Sequence, residues 1–118
     1  MRSLPEVQEE LEKIGDLFSR LQSPYADAAE ARERAKTAKE IAIADFIREN
    51  IGQYPATQIK EIATSHHSEL VEAAGKAEGE YQKYKVFFQS LDRQLEAVRS
   101  QNSTLNTEMQ LTKTSYHT

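Results

Sequence analysis

The chain has 118 residues with 29% charged and 8% aromatic residues, four glycines, three prolines, no cysteine and a formal net charge of −4. This composition suits one helix-rich, well-solvated domain, and it excludes disulfides and thiolate metal sites. No long apolar run is present, so no transmembrane span is expected, and the opening Met1-Arg2-Ser3-Leu4-Pro5 has no secretory apolar core.

The charge is unevenly spread. Residues 1–30 hold seven acids and three bases, residues 31–50 four and five, residues 51–80 five and two, and residues 81–118 three and five. That alternation argues against a generic polyanion binder and leaves separate basic patches open.

Ser3 and Glu6 have capping-box spacing, and Pro5 is tolerated in a first helical turn, where N–H groups lack intrahelical acceptors. Leu4, Val7, Leu11, Ile14, Phe18, Leu21 and Tyr25 then give an apolar stripe in steps of three and four. This predicts a helix over about 4–22. Pro24 removes a backbone donor, so it either kinks the rod or starts a second helix over 24–51 capped by Ser23. The stripe crosses it in phase, which favours a kink. Beyond it Ala28, Ala31, Ala35, Ala38 and Ala42 continue the stripe with small side chains that should pack tightly on a neighbour.

Gly52 has the position of a helix C′ residue, and Tyr54-Pro55 follows where a helix cannot continue. Thr57 is the expected N-cap of a long helix over 57–112, with a frayed tail at 113–118. A connection of about five residues between long helices implies an antiparallel hairpin. The expected domain is therefore a single hairpin over 1–112.

The long helix carries a coiled-coil seam at Ile59, Ala63, His66, Leu70, Ala73, Ala77, Tyr81, Tyr84, Phe88, Leu91, Leu95, Val98, Asn102, Leu105 and Met109. The steps average 3.5 residues, apart from a doubled step of four at Ala77 to Tyr81. Such a rod spans roughly 80 Å. The fold class is therefore all-α: a long antiparallel helical hairpin with coiled-coil packing and a kinked or broken first helix. An edge of that length is expected to assemble a homo-oligomer through Tyr81, Tyr84, Phe88, Leu91, Leu95, Val98 and Leu105. Gly75 and Gly79 coincide with the irregular step, which predicts a bend or close packing there.

His66 and His67 with Glu69 and Glu72 invite a metal reading. Adjacent helical side chains point about 100° apart, however, and no third ligand has suitable spacing, so no metal or other cofactor is expected. No phosphate loop, nucleophile elbow or metalloprotease motif is present, and the chain is read as non-enzymatic.

Arg32, Arg34, Lys36 and Lys39 form the densest basic cluster, with Arg32, Lys36 and Lys39 at i, i+4 and i+7. Such a face can neutralise phosphates; the plainer reading is surface pairing with Glu33 and Glu40. Lys83 and Lys85 interleave with Tyr81, Tyr84, Phe87 and Phe88 in a pattern suited to stacking on single-stranded bases. The aromatics at 81, 84 and 88 are also seam positions, which leaves Phe87 as the spare one.

The segment Glu78-Gly-Glu-Tyr-Gln-Lys-Tyr84, followed by Phe87-Phe-Gln-Ser-Leu-Asp-Arg-Gln-Leu-Glu-Ala-Val-Arg99, resembles the phage recombination mediators of the UvsY type. So does the order of a helical first half, a Pro/Gly break and a long second helix. The resemblance implies a small, all-α, ring-forming protein that binds single-stranded DNA. It would help load a recombinase onto strands coated by single-strand binding protein, in the cytoplasm of the host if phage-encoded. The chain departs from that family in its acidic balance and in lacking a dense basic N-terminal region. The alternative is a coiled-coil adaptor or inhibitor that binds a protein partner and no nucleic acid. It would dock through the surface near Gly75 and Gly79 or the sparsely charged tail from Asn102 to Tyr116.

Overall fold

The computed structural model describes the backbone of residues 3–117 and the side chains of residues 3–111. Three helices follow in order: α1 (Leu4–Glu49), α2 (Ile59–His66) and α3 (Ser68–His117), with no strand among the described residues. Packing divides the chain into two units, one joining residues up to Ser23 with those from Lys85 on, the other running from Pro24 to Tyr84.

The start of α1 follows the capping logic: the Glu6 N–H donates to Ser3 Oγ at 3.4 Å and the Val7 N–H to the Ser3 carbonyl at 3.0 Å. Helix α1 is unbroken, and the separate helices expected over 4–22 and 24–51 are one element with Pro24 inside it. Proline lacks the N–H that would bond the Arg20 carbonyl, and the apolar stripe keeps its phase across that missing bond.

In the first unit Val7, Ile14 and Val98 form a buried core, flanked by Leu11, Phe18, Leu95 and Leu105. The Phe18 and Phe88 rings meet edge to face at 5.4 Å. Phe18 meets the earlier residue of α3, and Val7, upstream in α1, shares its core with Val98 and Leu105, so the pair is antiparallel. Full burial of an aliphatic side chain such as Val7 contributes about 1.5–3 kcal/mol, and this apolar row is what holds the unit together.

In the second unit Tyr25 packs on Tyr81 at 5.7 Å and on Tyr84 at 6.4 Å. Further along, Phe46 of α1 meets the ring of His66 at 4.9 Å. Residue numbers again rise on one helix as they fall on the other, so this unit is an antiparallel helical hairpin.

Its turn is residues 50–58, longer than the expected five-residue connection. Asn50 closes α1 by donating its backbone N–H and its Nδ2 to the Phe46 carbonyl at 3.0 and 2.8 Å. Gly52 follows at φ +85°, the left-handed conformation expected of a helix-ending glycine. The Pro55 carbonyl accepts the N–H groups of Gln58 and Ile59 at 2.9 and 3.0 Å. The N-cap is therefore Gln58 rather than Thr57, and it makes no side-chain cap bond.

The long helix expected over 57–112 is interrupted at His67. That residue caps α2 with φ −106° and ψ 36°, its N–H bonded to the Ala63 carbonyl, before α3 begins at Ser68. The interruption corrects the seam. His66 and Ala73 are exposed, and His67 and Ala74 take the inward positions. With Ala74 in place, Leu70, Ala74, Ala77, Tyr81, Tyr84, Phe88, Leu91, Leu95, Val98, Asn102 and Leu105 alternate strictly between steps of four and three. The doubled step vanishes, and Met109 is exposed.

Helix α1 shows the same strictness. The alternation begun at Leu4 runs on through Tyr25 and Ala28 to Arg32, Ala35, Lys39, Ala42 and Phe46, all at least partly buried. Ala31 and Ala38, expected on the stripe, are exposed. Two successive steps of three would rotate them out of line, because a residue's shift moves a side chain about 100° around the helix.

Gly75 and Gly79 are exposed, and a methyl group added at either would meet nothing within 4 Å. The close packing expected there is absent.

Candidate interaction surfaces

The four-residue basic cluster does not form one outward face. Arg32 lies on the seam: its Nε donates to Glu78 Oε2, and its guanidinium carbon sits 4.5 Å from the centre of the Tyr81 ring. The carboxylate and the aromatic face both favour the cation. The Arg32 pKa is raised first by the Glu78 hydrogen bond. The Glu78 carboxyl is held below its ordinary range by hydrogen bonds from Gln82 and Arg32, which outweigh burial, with lesser help from the charges of Arg32 and Lys36.

Arg34 and Lys36 are exposed on α1, and Arg34 Nη2 donates to Glu30 Oε2 at 3.3 Å one turn back. Lys39 is half-buried and lines a cleft instead. Lys83 is exposed, 3.9 Å from Glu80, and Lys85 is half-buried. Of the six candidate phosphate ligands, Arg34, Lys36 and Lys83 offer their charge to solvent most directly.

The residues expected at an oligomer interface pack on α1 of the same chain. Tyr81 and Tyr84 lie against Tyr25 in one unit. In the other, Phe88 lies against Phe18, and Leu91, Leu95, Val98 and Leu105 are wholly or partly buried beside it. The seam is long, but α1 is nearly as long and carries the matching stripe. Any surface for self-association is therefore outside these residues' main contacts.

Large apolar side chains left exposed include Ile41, Ile51, Val86, Phe87 and Met109. Phe87, spare by its position beside the seam, is among them. The Asn102 Oδ1 is buried on the seam with no hydrogen-bond partner among the described residues.

Phe46 is the centre of an aromatic group that joins the turn to the break. Tyr54 stacks on it at 6.2 Å, His66 tilts onto it at 4.9 Å, and His67 meets it edge-on at 6.2 Å. The two histidines serve packing here, and among the described residues no three metal-ligating side chains converge.

A cleft of about 430 Å³ lies beside this group, lined by Lys39, Glu40, Ile43, Ala44 and Ile47 of α1, Lys60 and Thr64 of α2, and Val71 of α3. Sequence reasoning missed it because its lysines sit 21 positions apart, with only the i, i+4 pair Ile43 and Ile47 as a local signal. Among the described residues no helix is long and apolar enough to cross a membrane. Compared with known proteins, the chain matches no family model, no curated protein and no solved structure.

Proposed function

We propose that this chain is a non-enzymatic recombination mediator of the UvsY type, a self-associating helical protein that binds single-stranded DNA and assists recombinase loading. The observation that supports the DNA step is the outward face of α1 in the second unit. There Arg34 stands exposed among the short side chains of Ala31, Thr37 and Ala38, and Lys36, two positions on, is exposed on a different side of the helix. Small neighbours let a flexible strand bring a phosphate up to Arg34, and Lys36 and Lys83 are further exposed charges. The hydrogen bond to Glu30 is a solvated i, i+4 pair, weak enough to yield to a phosphate.

A second reading has its own support. Arg32, the most central cation of the cluster, is held by Glu78 and Tyr81, which favours an adaptor that docks a protein and leaves nucleic acid alone.

Fluorescence polarisation with a labelled oligothymidine at low and moderate salt separates the two. The mediator reading expects tight binding that weakens steeply with salt, and a shallower slope after Arg34→Gln and Lys36→Gln. No binding at low salt rejects it in favour of the adaptor.

A further inference from the structure

We infer that the cleft between Lys39 and Lys60 is a docking site for an acidic peptide segment of a protein partner, one that carries an apolar side chain. The inference rests on the reading of this chain as a protein that works by binding other macromolecules, and it assigns the protein-binding part of that work to a site.

Part of the lining is apolar. Ile43 and Ile47 lie one turn apart on α1, and Val71 of α3 lines the same cleft. All three are only partly buried, so an inserted side chain would remove further apolar surface from water. Thr64 adds little polarity, because its hydroxyl donates to the Lys60 carbonyl at 2.8 Å within its own helix.

The rim is basic. Lys39 and Lys60 stand on different helices, and neither forms an ion pair among the described residues. Lys13, Lys76 and Lys83 each lie within 4 Å of a glutamate on their own helix, whereas Lys36 and Lys85, like the two cleft lysines, form no ion pair among the described residues. Glu40 also lines the cleft and sets a limit: it disfavours a carboxylate on its side, so the ligand's charges must run along the two lysines. Apolar lining beside two lysines complements an acidic stretch next to a bulky apolar residue. The opening is wide, which suits a side chain delivered by a peptide better than an enclosed small molecule.

The test uses the full chain and a fluorescein-labelled octapeptide of four aspartates, two phenylalanines and two glycines. Saturable binding is expected, weakened at least tenfold by K60E, retained by K60R, and lost when the aspartates become asparagines or the phenylalanines become alanines. Circular dichroism establishes that K60E keeps its helix content. Ile43→Ser gives a second, uncharged disruption if K60E fails to fold. No binding at low salt, or equal binding by K60E, overturns the assignment. So does displacement of the peptide by oligothymidine, which would make the cleft a nucleic-acid site, or by excess unlabelled chain, which would make it a self-contact. Peptide binding without any DNA binding instead removes the mediator reading and leaves the cleft standing.

Discussion

Arg32 of α1 and Glu78 of α3 form the one ion pair between helices among the described residues, and they do so at a position where the seam repeat calls for an apolar side chain. The other described pairs join residues three or four apart on one helix. A charged residue inside a coiled-coil seam restricts the registers two helices can adopt, because a slip leaves the charge against apolar neighbours. Arg32 thus ties α1 to α3 within the hairpin unit, with Tyr81 as the flat surface on which the guanidinium rests.

The first prediction follows from Glu78. Its folded pKa is depressed, chiefly by the Gln82 and Arg32 hydrogen bonds. Its contribution to stability is thus present above the unfolded carboxylate pKa of about 4.3 and is lost as pH falls through the lower folded value. E78Q should melt below wild type at pH 7, and the gap should close as the solution is taken below the ordinary carboxylate range. Melting curves by circular dichroism check this; an equal gap at pH 7 and at the acidic end would remove the charge from the account.

Tyr25 gives the opposite sign. Its phenol pKa is raised, first by desolvation and then by the hydrogen bond and charge of Tyr81. A raised value favours the neutral form, so the contribution to stability is complete below the unfolded pKa of about 10 and disappears as pH climbs through the folded one. Y81F should move the Tyr25 titration back toward its ordinary range. Carbon-13 tyrosine spectra recorded through the alkaline range follow the residue directly, and an unmoved midpoint would leave Tyr81 without influence.

The glycines divide into two kinds. Gly75 and Gly79 are helical, exposed and open to an added methyl, so G75A and G79A should each stabilise by about 1 kcal/mol. Gly52 sits at φ +85°, where a Cβ is strained, and G52A should destabilise by about 1–2 kcal/mol. Urea unfolding of the three variants decides it. Stabilising G75A and G79A variants that lose a binding activity would mark that face as a docking surface.

The all-α class and the antiparallel hairpin were legible because both rest on periodicity and turn chemistry. Leu4 to Tyr25 and Ala77 to Leu105 carry enough large side chains to fix the inward face. Legibility failed where side chains are small. In the alanine-rich stretch residue type does not distinguish Ala31 from Ala35, and only counting strictly from Leu4 would have placed Arg32 and Lys39 inward. The same count, run backward from Tyr81, would have chosen Ala74 over Ala73. The break at His67 has no proline or glycine to announce it. At the break Phe46 gathers Tyr54, His66 and His67, a contact between distant segments that no local pattern announces. The Lys39–Lys60 cleft depends on that same hairpin geometry, so no local pattern points to it.

The last prediction concerns the end of α3. In the first unit Val7 shares its core with Val98, so Leu4 comes level with roughly residue 101, while the helix continues to His117. The overhang is about 24 Å of helix at 1.5 Å per residue. Leu105 still reaches the core, but Met109, next on the stripe, is 48% exposed. The proposed self-association is assigned to this arm: between Ser100 and Leu111 the only charged residue is Glu108, so two copies would meet there with little like-charge repulsion. A chain ending at Thr107 should keep its melting temperature within a few degrees, because it retains every described core residue. It should nevertheless sediment as a monomer where the full chain sediments as an oligomer. M109K should act in the same direction without shortening the helix. An oligomer that survives both changes would place the contact elsewhere, with the exposed Val86 and Phe87 as the next surface to alter.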